Sequence, residues 1–200
     1  GIGIQSISLA LEGVEVTGSD ISQNEIIVAK KISQQYGVNI NFVYADCRYL
    51  EHTFHYNFDV IISIDSALPH LITKENFIMA FQSIYNKLNN GGVFLSSYRN
   101  YEELLKTKPN MAYPIRFNTE GDTEYTIFRK WKWDKDIIYS KQYVIAENIS
   151  NSILYTRSYK QWAITKRQLI SIAQETKFSE IYWLSPEESN FSQPILCLVK

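Results

Sequence analysis

What most constrains this chain is a change of hydrophobic period that recurs along its first hundred residues. "FDVIISI" (58–64) is short and almost continuously apolar, as a strand covered on both faces must be, whereas Lys74 to Leu88 carries its apolar residues at helical spacing. "NNGG" then turns the chain into a second apolar run, "VFLSSY". The same alternation holds upstream. Ile4 to Glu12 has helical spacing with Gly13 as its stop, and Val14 to Thr17 is a β-branched run ending in "GSD". Ser22 with Glu25 resembles a capping box opening a helix through Tyr36, and Gly37 ends it before the strand "INFVYA". Apolar strands separated by helices belong to a parallel sheet with helices on both faces.

Past Tyr101 the pattern changes. "YTIFRKWKWD", "IIYSKQYVI" and "SILYTRSYKQW" are extended aromatic stretches, with turn-like "NTEGD" and "AENISN" between them, and they read as an antiparallel meander. A helix capped by Thr165 follows, then two strands at "FSEIYWL" and "PILCLVK", the last antiparallel. The expected fold class is α/β, a Rossmann-like, doubly wound, mostly parallel sheet with an antiparallel last strand and an inserted antiparallel β meander. With 200 residues, 45% of them hydrophobic, one core is expected. The expected single domain comprises a cofactor-binding core over 1–101, the insert or lid over 110–163 and a C-terminal completion over 164–200.

Lys plus Arg (20) nearly balance Asp plus Glu (21), so no large field of one sign points to nucleic acid or an anionic membrane, and a small-molecule partner is expected. Basic and aromatic residues interleave in "FRKWKWDK", as in single-strand nucleic-acid grooves, but one such strand in a near-neutral chain is poor support for that partner. Cys47 and Cys197 match no metal spacing and sit in apolar settings, which suits reduced thiols and a cytoplasmic location. No apolar run approaches the roughly 20 residues a membrane helix needs. Oligomeric state is open.

In a doubly wound sheet a glycine loop lets the backbone approach a ligand beyond the carboxyl ends of the strands, and an acid after the second strand takes ribose hydroxyls. Gly1, Gly3 and Asp20 fit that arrangement, although Asp20 could equally cap the helix after it. "YADCRYL" puts Asp46 at the same rim, where a second carboxylate could accept an adenine amine with Cys47 beside the ring.

The order "GIG", "VTGSDIS", "YADCRYL", "FDVIISIDSALPHL" and "LNNGGVFLSSYRNYEELL" resembles the class I S-adenosylmethionine-dependent methyltransferases across nearly the whole chain. "SALPHL" followed by "YRNYEELL" and an antiparallel insert looks most like the glycine and sarcosine N-methyltransferase group. The resemblance implies S-adenosylmethionine as cofactor, S-adenosylhomocysteine as product and a small amine, above all that of an amino acid, as acceptor. The class's first motif begins with an acid and a further glycine at the end of a central strand, so the resemblance also implies a strand and a helix upstream of Gly1.

Carried over by position, the resemblance puts Gly1 and Gly3 at the methionine portion of the cofactor. Asp20 would lie on the ribose, Ile21 against adenine, and Asp46 and Cys47 beside the base. Ile64 and Asp65 would lie near the sulfonium, with Ser66 and His70 just beyond. Ser66 replaces an asparagine of the animal glycine enzyme, which puts glycine itself in doubt as the acceptor. His70 would organise the cofactor carboxylate, its structural alternative being a core or capping histidine. Arg99 would grip a substrate carboxylate through its planar fork, the alternative being a surface ion pair with Glu102 or Glu103. Trp131, Trp133, Tyr139, Tyr143, Tyr155, Tyr159 and Trp162 would either wall off a methylated ammonium or form the core of the insert.

No Ser-His-Asp order, metal cluster or lysine motif asks for other chemistry. Two other readings share these features: a methyltransferase acting on another small-molecule nitrogen or oxygen, and a catalytically silent cofactor-binding protein. A nicotinamide-dependent dehydrogenase fits less well, given the antiparallel last strand and Asp46.

Overall fold

A computed structural model describes residues 1–118 and 122–200, which form two compact units, Gly1–Asn57 and Phe58–Lys200. The centre of the expected "NTEGD" turn lies outside the described residues.

The first unit runs α1 (Ile4–Leu11), β1 (Thr17–Asp20), α2 (Gln23–Gln35) and β2 (Asn41–Tyr44), with β1 and β2 parallel and Asp20 opposite Tyr44. Ser22 caps α2 by accepting the Glu25 N–H, which is the Ser22 half of the expected capping box. Ile7 from α1, Ile26 and Ala29 from α2, and Ile40 and Phe42 around β2 form the core. The β-branched run at Val14 to Thr17 ending in "GSD" predicts a strand, and the strand is Thr17–Asp20, with Val14 to Val16 ahead of it. Inside it a Cβ on Gly18 would sit 2.5 Å from the Phe42 ring, so an aromatic ring is laid on the backbone there.

The second unit opens with β3 (Phe58–Ser63), α3 (Lys74–Lys87), β4 (Leu88–Ser97) and α4 (Tyr101–Thr107). β3 and β4 are parallel. "NNGG" does not simply precede the strand but lies inside β4: Phe58 pairs with Leu88, Val60 next with Val93, and Asn89 to Gly92 bulge between them. Gly91 has φ 75°, and a Cβ on Gly92 would press against backbone oxygens of Asn89 and Asp59 at 2.9 and 3.0 Å.

The meander follows as β5 (Met111–Asn118), β6 (Glu124–Asp134), β7 (Ile137–Asn148) and β8 (Asn151–Trp162), a four-stranded antiparallel sheet in chain order. Then come α5 (Lys166–Gln174), β9 (Glu180–Leu184), the short α6 (Pro186–Ser189) and β10 (Ile195–Val199). β10 lies antiparallel between β4 and β9, the expected reversal at the end of a Rossmann-like sheet. Thr165 forms a complete capping box with Gln168 at the start of α5. Phe77, Phe81, Phe94 and Phe178 meet edge to face beneath this sheet, and Trp162 joins them through Phe77.

No described helix is long and apolar enough to cross a membrane.

Candidate active site

In the first unit, α1 starts at Gly3, whose φ of 81° and contacts both exclude a side chain: a Cβ would lie 2.8 Å from the Phe42 ring and 3.1 Å from Ala29. A Cβ on Gly1 would meet nothing within 4 Å. The parallel register sets Asp20 at the carboxyl end of β1 and Asp46 just beyond that of β2. Asp20 Oδ1 accepts the Ser22 N–H at 2.8 Å, which is the helix-entry role left open above, and Oδ2 meets the amino group of Gly1. Ile21 beside it is 57% exposed and presents apolar surface at the strand end.

Asp46 is held by its neighbour. Arg48 Nη2 lies 2.6 Å from Oδ2 and Nε 3.0 Å from Oδ1, while the Arg48 backbone N–H donates to Oδ1 at 2.9 Å. Hydrogen bonding to Arg48 holds the carboxyl below the ordinary range, so it is ionised at neutral pH. Burial pushes the Cys47 thiol up to about 11, which leaves a neutral, weakly nucleophilic sulfur. The clue to Arg48 was its place two residues after Asp46 in "DCR".

In the second unit, Ile64 leads from β3 into two consecutive left-handed residues, Asp65 at φ 61° and Ser66 at φ 57°. Such positions cost on the order of 1–3 kcal/mol each and need compensating bonds. The Asp65 N–H donates to Ser97 Oγ at 2.8 Å, the buried Ser66 hydroxyl accepts the Arg99 N–H at 3.1 Å, and both serine hydroxyls donate to Gln193 Oε1, at 3.3 and 3.0 Å. Ser66 therefore holds the backbone of Arg99. Gln193 carries no sequence signal, because it lies in the loop before β10, far along the chain from the turn it braces.

Arg99 follows β4. Its guanidinium carbon lies 5.8 Å from the centre of the Trp131 ring, and among the described residues no carboxylate pairs with it. Glu102 accepts the Lys166 backbone N–H at 2.7 Å, and the Glu103 side chain accepts from Asn100, so neither supplies the ion pair open to Arg99 from sequence. Tyr101 is fully buried nearby, and desolvation raises its hydroxyl to about 12. His70 sits in the turn Leu68–Leu71, open to solvent on one side and crowded on the other. Its ring centre is 5.2 Å from that of Tyr159, and Nε2 is 3.3 Å from Gln161 Nε2. An amide nitrogen can only donate, so that contact makes His70 Nε2 the acceptor. Desolvation, reinforced by the charges of Arg157 and Arg99, lowers the pKa of His70 and keeps the ring neutral.

The seven insert aromatics do not form one wall. Strand alternation puts Trp131, Trp133, Tyr155 and Tyr159 on the face that meets Arg99 and His70, and Tyr139, Tyr143 and Trp162 on the other. On that other face Lys160 stacks over Tyr139, and Lys130 and Lys141 over Tyr143.

Residues 1–92 match the family described as "Methyltransferase domain". A glycine/sarcosine N-methyltransferase of Parasynechococcus marenigrum is 29% identical over 106 residues, which is 53% of this chain and 38% of that protein. Its namesake from Halorhodospira halochloris is 26% identical over 125 residues, 62% of this chain and 47% of that protein. The chain thus spans half or less of the length of these curated relatives. Among solved structures, an S-adenosylmethionine-dependent methyltransferase from Clostridium acetobutylicum aligns over 100% of this chain and 80% of its own, with a TM-score of 0.83 at 16% identity, so the fold is shared.

Proposed function

We propose that this chain, which has the fold of the class I S-adenosylmethionine-dependent methyltransferases and resembles them in sequence, transfers a methyl group from that cofactor to the amine of a small carboxylate-bearing compound. The observation that carries the reading is Arg99. It is a partly buried guanidinium held by Ser66 through its backbone and by Trp131 through its ring face, with its fork free of any described carboxylate. A planar two-donor group so held suits a carboxylate ligand. The names of the two curated relatives support an amino-acid amine as the acceptor.

The first unit has groups that fit the nucleoside part of the cofactor. Asp20 offers a carboxylate at the strand end, Ile21 offers exposed apolar surface, and Asp46 with the neutral Cys47 suits the base, while Gly1 and Gly3 would lie at the methionine portion. Arg48 already occupies part of Asp46, whose remaining lone pairs are the ones an exocyclic amine would use. In the second unit Ile64 and Asp65 would border the reacting sulfur.

S-adenosylmethionine supplies a methyl on a positively charged sulfur and leaves as S-adenosylhomocysteine. What the protein must do is hold an unprotonated amine with its lone pair in line with the carbon–sulfur bond and keep water away. Arg99 would fix the acceptor by its carboxylate, and Ser66 would fix Arg99.

The test is titration calorimetry with S-adenosylmethionine and, as control, NAD, followed by transfer of labelled methyl to glycine, sarcosine, other amino acids and their decarboxylated amines. Saturable binding of S-adenosylmethionine alone, with methylation confined to the carboxylate-bearing amines, is expected. Binding of NAD instead, or equal methylation of the decarboxylated amines, would contradict the reading.

A further inference from the structure

The face of the meander that meets Arg99 and His70 holds more unmet polarity than one carboxylate would use. Register aligns Arg129, Gln142 and Arg157 in one row across β6, β7 and β8, with Trp131, Ser140 and Tyr159 in the next and Trp133, Ile138 and Gln161 beyond. The Trp131 row touches Arg99 through Trp131 and His70 through Tyr159. Trp131, Ser140 and Gln161 are only 7%, 3% and 4% exposed. Even so, Trp131 Nε1, Ser140 Oγ, Gln161 Oε1 and the neighbouring Arg129 Nε meet no hydrogen-bond partner among the described residues. Buried polar groups without partners are costly, and three of these four can donate. Neither Arg129 nor Arg157 pairs with a carboxylate among the described residues.

We infer that the acceptor carries a second anionic group, a carboxylate or a phosphate, which lies on this face between Arg129 and Arg157 and takes the free donors of Trp131 and Ser140. The inference rests on the methyltransferase reading for the identity of the ligand as acceptor, but not for the anion site itself. Arg129 and Arg157 on this face, with Arg99 set against it through Trp131 and no described acid among them, form a site for a dianion, and glycine would leave the Arg129 end unfilled. Opposite-face residues such as Lys130, next to Arg129 in sequence, point away from it by strand alternation.

The experiment is calorimetric titration of the protein, with S-adenosylhomocysteine present, by glycine, aspartate and O-phosphoserine. Aspartate or O-phosphoserine is expected to bind at least about tenfold tighter than glycine, and the better of the two identifies the second group as carboxylate or phosphate. Arg129→Ala should bring that ligand to within about threefold of glycine, while Lys130→Ala should leave the preference intact. Arg157 is exposed, so Arg157→Ala should fold whatever Arg129→Ala does and should lower the preference in the same way. Glycine binding as tightly as both dianions, no binding by any of the three, or an equal loss in Lys130→Ala would overturn the inference. If S-adenosylmethionine fails to bind while the dianion preference depends on Arg129, the methyltransferase reading falls and the anion site stands. If methyl reaches glycine with no dianion preference, only the anion site falls.

Discussion

Ser66 Oγ donates to Gln193 Oε1 across 3.3 Å, and Ser97 donates to the same oxygen at 3.0 Å, so one amide from the loop before β10 braces the left-handed pair after β3. The same Ser66 oxygen accepts the Arg99 N–H, which ties this brace to the group proposed to hold the acceptor.

Gln193→Ala should therefore destabilise the protein by about 1–3 kcal/mol in denaturant unfolding, through two buried hydroxyls left without their acceptor. It should also lower kcat/KM for the acceptor while cofactor affinity stays within about twofold. Gln193→Glu keeps the accepting oxygen and should recover most of the loss in stability. Wild-type stability in the alanine variant would show that the brace is unimportant.

Gly3→Ala should be poorly tolerated for two reasons, the positive φ and the Phe42 ring 2.8 Å from the new Cβ, and a loss of about 1–3 kcal/mol is expected. Gly1→Ala meets nothing within 4 Å and should change stability by less than about 0.5 kcal/mol. Thermal melting of the two variants separates the packing role of Gly3 from any role at the cofactor. Equal effects would contradict both the positive φ and the ring contact at Gly3.

Because burial lowers the pKa of His70, its neutral form is favoured in the folded chain, and its contribution to stability is complete above the ordinary histidine value of 6.5. That contribution should be lost as pH falls from 6.5 through the lowered folded value. Unfolding free energies of the parent and His70→Gln, measured from pH 8 to 5, should run parallel above neutrality and converge in acid. Parallel curves throughout would place His70 in an ordinary solvated setting.

Asp20→Ala should weaken S-adenosylmethionine binding by about 1.5–3 kcal/mol, the scale of a charged hydrogen bond. Asp20 also accepts the Ser22 N–H, so a smaller loss of stability should accompany it, and Asp20→Asn should restore stability without restoring affinity. Unchanged affinity in the alanine variant would remove the ribose from Asp20.

What could be read from the sequence followed from local chemistry. Ser22 and Thr165 cap the helices their spacing predicts, the aromatic stretches form the antiparallel sheet, and β10 runs antiparallel at the end. The misplacement arose at a glycine pair: "NNGG" reads as a turn ahead of the strand, but Gly91 and Gly92 belong to a bulge inside β4. The candidate residues divide similarly. Asp20, Asp46 and Arg99 stand at strand ends, which hydrophobic period can locate. Gln193, Gln161, Arg129 and Ser140 gain their meaning only from strand register or loop closure across long stretches of chain, and no local pattern marks them.

The proposed grip of Arg99 on the carboxylate of a methyl-accepting amine is tested by a two-by-two comparison of kcat/KM. The parent and Arg99→Ala are each assayed with a carboxylate-bearing amine and with its ester, with cofactor affinity checked in both proteins. A loss of roughly 2–4 kcal/mol is expected for the free acid, with little change for the ester and a coupling energy close to that whole loss, and Arg99→Lys should also be impaired because a point charge cannot replace the planar fork. A coupling energy near zero would mean that Arg99 does not hold the acceptor's carboxylate.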